Sequence, residues 1–292
     1  MWGHMAKTRA KTRAAAISVV SNVLLVLAKG AVGFLTGSVS ILAEASHSAV
    51  DLLAAIIAYF AVRIAGQPPD ESHAFGHGKY ENVSGTVEAV LIIAVAVYIA
   101  HEAVAKIVHG TGIGHLDVGI GIMLVSAVVN WFVSGRLFKV ARETDSIALE
   151  ADGHHLRLDV YTSLGVLVGL TVVSLTGIVL IDRLLGVGLA IWIGWIGLSL
   201  AARTLGPLLD SQLPLEEVER IVSILRSDRK VLGYHKLRTR KSGMERHVDV
   251  HLMVPSDMGL SEAHALAENI EDKIRAEFDN VFVLTHVEPH GE

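Results

Sequence analysis

Six apolar stretches dominate the chain, near residues 14–37, 40–64, 82–108, 116–138, 147–176 and 178–204. Each is long enough, or nearly so, for a helix crossing a hydrocarbon layer ~30 Å thick. Such a layer offers no water to bare N–H and C=O groups, so these runs can only become helices bundled together. The clearest are Tyr161–Leu180 and Leu184–Ala202, which contain no Asp, Glu, Lys, Arg or His. Overall, 51% of residues are hydrophobic and 19% charged, more apolar than a water-soluble domain. The reading is a polytopic α-helical membrane protein with six transmembrane helices.

Ionisable residues inside such helices are costly and mark ion pathways. Glu44, His47 and Asp51 lie in the second run, Glu88 in the third, and His155 and Asp159 at the start of the fifth. The motifs His47-Ser-Ala-Val-Asp51 and His155-Leu-Arg-Leu-Asp159 each place an imidazole and a carboxylate one turn apart on one helix face. Facing each other, they would supply two nitrogens and two oxygens, a set that suits tetrahedral Zn²⁺. The blander alternative is two intrahelical His–Asp hydrogen bonds, but burying four ionisable groups for packing alone is poor energetics. His154 points about 100° away around the helix and is not expected to be a ligand. The chain has no cysteine, so disulfides and thiolate metal sites are excluded. Metal chemistry must then rest on His, Asp and Glu.

Lys and Arg in the loops set orientation. Lys7, Arg9, Lys11, Arg13, Arg63, Lys79, Arg136, Lys139, Arg142 and Arg157 fall on one side, and Lys106 and Arg183 on the other. Both termini are therefore expected in the cytoplasm. The short loops suggest a prokaryotic cell membrane. Tight turns are expected at Thr36-Gly-Ser38 and around Thr176-Gly177, and Gly30, Gly33 and Gly37 suit close helix packing. Residues 1–13 read as an N-terminal tail, of which 1–4 resemble a cloning remnant. Residues 14–206 read as the membrane domain and 207–292 as a separate domain.

Residues 213–292 hold fifteen acidic and eleven basic residues and no spanning run. Leu215–Arg226 and Ser261–Phe278 have helical periodicity, the latter with Leu266, Ile270, Ile274 and Phe278 every four residues. Val231–Arg240, Glu245–Val254 and Val281–Val287 read as strands, with a hairpin turn at Lys241-Ser-Gly243. The αββαβ order predicts a two-layer α+β domain. Its size makes it marginal alone, so dimerisation is plausible.

Two further histidine-rich regions invite metal. In Pro69-Asp-Glu-Ser-His73-Ala-Phe-Gly-His77-Gly-Lys79, Asp70, His73 and His77 are spaced so that a turn plus helix start could converge them; the alternative is a solvated polar loop, which the motif outweighs only because a membrane metal site is already expected. In the last domain, His251, His264, His286 and Glu288 can form a cluster, with His235 a further candidate; scattered surface histidines are the alternative. His247 and His251 share a strand face, but about 13 Å apart, too far for one ion.

These motifs together resemble the cation diffusion facilitator transporters, over essentially the whole chain. The shared residues include Asn22, Lys29-Gly30, Thr36-Gly-Ser-Val-Ser-Ile-Leu-Ala-Glu44, the His73-Ala-Phe-Gly-His77-Gly-Lys79 loop and His286-Val-Glu-Pro289. The resemblance implies a homodimeric exporter that exchanges cytoplasmic divalent metal for protons. It also implies a cytoplasmic, metallochaperone-like domain that binds metal and dimerises. His47, Asp51, His155 and Asp159 match the transport site. Asp70, His73 and His77 match a loop site found in some members. His235, His251, His264, His286 and Glu288 match the cytoplasmic site. His47 stands where several bacterial members have Asp, and Glu288 where some have Asp. The extra nitrogen favours Zn²⁺ over Mn²⁺.

The expected function is Zn²⁺/H⁺ antiport by alternating access, with protons as counter-ion and the bilayer as surroundings. Net charge is −5, which argues against a nucleic-acid partner. A secondary active transporter is expected, not an enzyme. An intramembrane zinc hydrolase would need an open metal position and a general base. A membrane-anchored metal sensor would not need donors inside the bundle.

Overall fold

The computed structural model describes residues 2–36, 39–109, 119–176 and 179–291. The expected turns at residues 37–38 and 177 lie outside them. Two compact units divide the chain, Met1–Leu205 and Gly206–Glu292.

Among the described residues, six long helices make up unit one: α1 (Trp2–Thr36), α2 (Val39–Ala65), α3 (Lys79–His109), α4 (Gly119–Thr144), α5 (Ile147–Thr176) and α6 (Val179–Leu208), whose last turn runs past the unit boundary. Among the described residues, all but α5 contain a stretch long and apolar enough to cross a membrane. At 30 residues α5 is long enough too; its first half carries Glu150, Asp152, Arg157 and Asp159, while from Val160 to Thr176 it has no Asp, Glu, Lys, Arg or His. α1 begins at Trp2 and not near residue 14. The stretch Ala6-Lys-Thr-Arg-Ala-Lys-Thr-Arg13 is rich in strong helix formers, so the charged segment continues the helix.

The bundle is polar inside and apolar outside. Ser18, Asn22, Ser48, Asp51, Asn130 and His155 are buried, while Phe34, Phe132, Ile191 and Trp195 face outward. α5 occupies the middle. Its Ala148, Leu149 and Leu156 pack with α1, α2 and α4 around Leu137, and its Ala151 and Leu158 pack with α3 and α6 around Ile92 and Ile193. Gly33 allows close approach of α1 to α2, since a Cβ there would stand 3.1 Å from the Leu42 backbone nitrogen. Gly30 faces open space and plays no such part.

A buried ion pair ties α1 to α3. Lys11 Nζ donates to Glu81 Oε1 at 2.7 Å, with the side chains 4% and 1% exposed. Ser146 Oγ, preceding α5, donates to Glu81 Oε2. One carboxylate thus holds three segments at the same end of the bundle.

Unit two contains α7 (Leu215–Leu225), β1 (Gly233–Ser242), β2 (Glu245–Val254), α8 (Leu260–Glu277) and β3 (Val281–Pro289). The sheet order is β1-β2-β3, with β1 antiparallel and β3 parallel to β2. Val248, Val250, Leu252 and Val254 on one face of β2 pack with Ile221, Leu225, Leu266, Ile270 and Ile274 from the helices. The other face carries His247, Asp249 and His251, as strand alternation requires. The hairpin turn falls at Gly243–Met244, where Gly243 takes φ 58°, a conformation glycine adopts at little cost.

Removing one partner of a buried ion pair strands the other charge, at about 3–5 kcal/mol. Lys11→Ala should therefore lower the thermal midpoint of the detergent-solubilised protein clearly. The apolar double change Lys11→Met with Glu81→Leu should recover most of that loss. Equal midpoints for wild type and Lys11→Ala would show that the pair is not a fastening point.

Candidate metal centres

The intramembrane donors come from two helices in contact, α2 and α5. The i, i+4 spacing sets His47 and Asp51 on one face of α2, and His155 and Asp159 on one face of α5. His155 Nε2 and Asp51 Oδ1 share a hydrogen bond of 3.0 Å, and both side chains are buried. His47 Nε2 lies 4.0 Å from Asp51 Oδ1 and 4.0 Å from Asp159 Oδ1, with its side chain 49% exposed. One donor atom each from Asp51, His155 and Asp159 lies within 4.8 Å of the others. His47 caps this trio from its open side. Neutral imidazole and two carboxylates are competent ligands for a divalent transition ion. His154 lies away from this group, beside Glu150 at 3.9 Å and Phe138.

The structure adds neighbours. Glu88 of α3, 1% exposed, places Oε2 3.5 Å from His155 Nδ1. A carboxylate hydrogen-bonded to the second ring nitrogen of a metal-binding histidine holds the ring and raises its basicity; Glu88 stands in that position, close to Nδ1 but without a formed hydrogen bond. Asn130 Nδ2 donates to Asp159 Oδ2 at 3.4 Å, and the buried Lys29 Nζ donates to Ser48 Oγ at 2.9 Å, next to His47. In the sequence, Glu88 is marked only by its charge in an apolar helix. Which helix would face α5 could not be read from the chain.

In the loop before α3, Asp70 brings the two histidines together. His73 Nδ1 lies 3.2 Å from Asp70 Oδ1, and His77 Nε2 lies 3.3 Å from Asp70 Oδ2. Gly76, at φ 76°, makes the turn that returns His77 toward Asp70. Asp70 Oδ1 also accepts from the Ser72 hydroxyl at 2.9 Å and from the His73 backbone N–H at 2.6 Å. These bonds, the Ser72 hydroxyl foremost, hold the Asp70 carboxyl at about 2. A carboxylate kept charged beside two imidazoles is a suitable cation site.

The third cluster lies on the open sheet face of unit two. His235, His251 and His286 sit in adjacent register on β1, β2 and β3. Glu288 Oε2 pairs with His235 Nε2 at 2.6 Å and Glu288 Oε1 with His251 Nδ1 at 2.5 Å. His286 Nε2 is 3.6 Å from Glu288 Oε1, at the rim. His264, expected with this group, stands apart: it is 71% exposed on α8, with Nε2 3.5 Å from Glu268 one turn on. Its helix packs against the opposite sheet face, and the i, i+4 carboxylate captures the ring. His235 joins through a β-bulge. The register slips between His235 and Arg238, with Lys236 at φ 51°. The extra residue lets Tyr234 and Leu237 both pack on the core and turns His235 to the histidine face.

The cation efflux transmembrane domain family matches residues 15–209, and the cation efflux protein cytoplasmic domain family matches residues 213–290. The chain belongs to the cation efflux family. The cation-efflux pump FieF of Yersinia pestis is 33% identical over 279 residues, which cover 96% of this chain and 92% of that one. The uncharacterized transporter sll1263 of Synechocystis is 33% identical over 256 residues, covering 87% and 83%. Among solved structures, one of CzrB shares 36% identity over 27% of this chain and 99% of that chain, with a TM-score of 0.25. The metal-bound C-terminal domain of CzcD from Thermotoga maritima shares 26% identity over 27% and 92%, with a TM-score of 0.26. As a cation efflux protein, the chain is a multi-pass membrane transporter for divalent metal cations, not an enzyme, and its C-terminal unit is cytoplasmic.

The hydrogen bonds from His251 and then His235 lower Glu288 from 4.5 to about 2. A depressed carboxylate stabilises the folded state above its unfolded value and loses that contribution as pH falls through the folded one. In metal-free protein, Glu288→Gln should destabilise the cytoplasmic unit above pH 4.5, with the difference vanishing toward pH 2. Thermal unfolding across that window, wild type against variant, reads this out. A difference that grows as pH falls would refute the pairing.

Proposed function

We propose that the chain exports Zn²⁺ from the cytoplasm in exchange for protons, through His47, Asp51, His155 and Asp159. The observation that carries this reading is the convergence of Asp51, His155 and Asp159 donors within 4.8 Å inside the helical bundle. Two imidazoles and two carboxylates match the nitrogen and oxygen preferences of tetrahedral Zn²⁺. The transport domain is residues 14–206, with both termini in the cytoplasm and 1–13 as a basic extension. The membrane is the cell membrane.

Coupling follows from the donors themselves. Metal and protons compete for the same lone pairs, so loading releases protons and protonation expels metal. Histidine, with an unperturbed pKa of ~6.5, suits that exchange near neutral pH. Glu88 positions His155 through Nδ1, leaving Nε2 directed at Asp51. Rocking of helices around the fixed site would alternate access and make the protein a secondary active transporter.

Residues 207–292 form the metal-binding and dimerisation domain, so the working unit is a homodimer. His235, His251 and Glu288 hold a resident ion there, with His286 beside it. Their donors lie within 4.8 Å of one another, and binding displaces the protons they share. Asp70, His73 and His77 form a further metal site in the loop. His264 stands outside the cytoplasmic cluster within one chain.

The test is Zn²⁺ flux in proteoliposomes under an imposed pH gradient. Wild type should move Zn²⁺ with the gradient, and Asp51→Ala should abolish flux while the protein remains folded. Glu88→Gln should weaken Zn²⁺ binding by about 10–100-fold, the usual cost of losing such an outer partner. Flux persisting in Asp51→Ala would overturn the assignment. No flux in wild type with Zn²⁺, Mn²⁺, Fe²⁺ or Cd²⁺ would overturn transport through this site.

A further inference from the structure

Arg157 has no part in the metal sites, although it lies between two of their residues. Two positions from both His155 and Asp159, it falls about 200° around α5 from each, so it leaves the bundle interior. Its guanidinium lies 3.9 Å from the centre of the Trp131 ring and 5.6 Å from that of Phe138, both on α4. Nε donates to Ser134 Oγ at 3.0 Å. The two terminal nitrogens have no partner among the described residues. A guanidinium at that depth is expensive unless its remaining donors are met.

Those nitrogens open on a cavity of about 410 Å³ lined by Gly135, Phe138, Lys139, Arg142, Glu143 and Arg157. Gly135 lies beside the guanidinium, where a Cβ would make only ordinary van der Waals contact with Nη2 at 3.8 Å. Three cations line the cavity against one carboxylate. Glu143 lies 3.9 Å from Lys139, with both side chains exposed. Arg142 makes no hydrogen bond or ion pair with another described residue. Helical side chains lean toward the helix N-terminus. For α5 that direction leads Arg157 toward the loop end of α4, where Lys139 and Arg142 sit. The outer face of α4 beyond the cavity is apolar and exposed at Val128 and Phe132.

We propose that this cavity binds the phosphodiester of an anionic phospholipid of the cytoplasmic leaflet. Arg157, Arg142 and Lys139 receive the phosphate, and the acyl chains lie along Val128 and Phe132. The charge matches: basic clusters at the cytoplasmic face attract anionic lipid. So does the shape, with a polar cavity continuous with an apolar helix face. A planar guanidinium stacked on Trp131 is pre-organised to offer its two terminal nitrogens to one phosphate. The site is separate from the transport residues, so failure of the metal assignment leaves it standing.

The experiment uses the full chain in neutral detergent. Phosphatidylglycerol and phosphatidylcholine with identical acyl chains are added in turn, and retained lipid is counted by native mass spectrometry. Phosphatidylglycerol should be retained preferentially. Arg142→Gln, which removes an exposed cation, should cut its retention about fivefold, and Arg157→Gln by at least as much. Thermal midpoints separate headgroup from free phosphate: phosphatidylglycerol should raise the midpoint, and sodium phosphate at equal concentration should not. Equal retention of the two lipids would overturn the proposal. So would unchanged retention in Arg142→Gln, or stabilisation by inorganic phosphate equal to that by lipid. Arg142 lies at the helix end, so its variant decides the matter even if Arg157→Gln does not fold.

Discussion

The hydrogen bond between His155 and Asp51 joins α5 to α2 in the interior of the bundle. In a low-dielectric layer neither group is tolerable alone. Each is tolerated because the other is there, and because Glu88, Asp159 and Asn130 complete the surroundings. α5 is therefore central, with α2, α3 and α4 packed against it. The apolar clusters on either side of α5 follow from that position.

The same donor chemistry recurs in three environments, and solvation distinguishes their uses. The intramembrane donors are largely shielded, so a metal ion and protons exchange there against a high cost of bare charge. At the loop, Asp70 is exposed and already held by its own turn through Ser72 and the His73 backbone. On the cytoplasmic sheet, Glu288 bridges histidines from two different strands. A metal there would cross-link β1, β2 and β3, which makes it a support for that unit more than cargo.

Much of this was legible in the chain. Long apolar runs have one fate in a bilayer, so the helices were readable, and strand alternation with a four-residue helical repeat revealed the αββαβ unit. Boundaries were harder. α1 runs back to Trp2 because alanine, lysine and arginine favour helix as readily as apolar residues do. A helix end read from hydropathy alone misses such a continuation. Gly30 and Gly33 look alike in sequence, yet only Gly33 faces a neighbouring helix at close range. The assignment of His264 to the cytoplasmic cluster depended on distance through space, which residue spacing does not carry.

By itself, the sequence determined that the chain spans a membrane, that two His-x-x-x-Asp pairs sit on helix faces, and that a small α+β unit follows. Those properties are local, set by periodicities of 3.6 and 2 residues and by the cost of burying a bare backbone. Tertiary structure decided which faces meet. It placed Glu88 behind His155, closed Lys11 on Glu81, and stacked Arg157 on Trp131 beside an open basic cavity. It also decided the bulge at Lys236, which carries His235 across to the face of His251. Each of these is a contact between segments distant in the chain or a one-residue slip in register, and both depend on how whole elements pack.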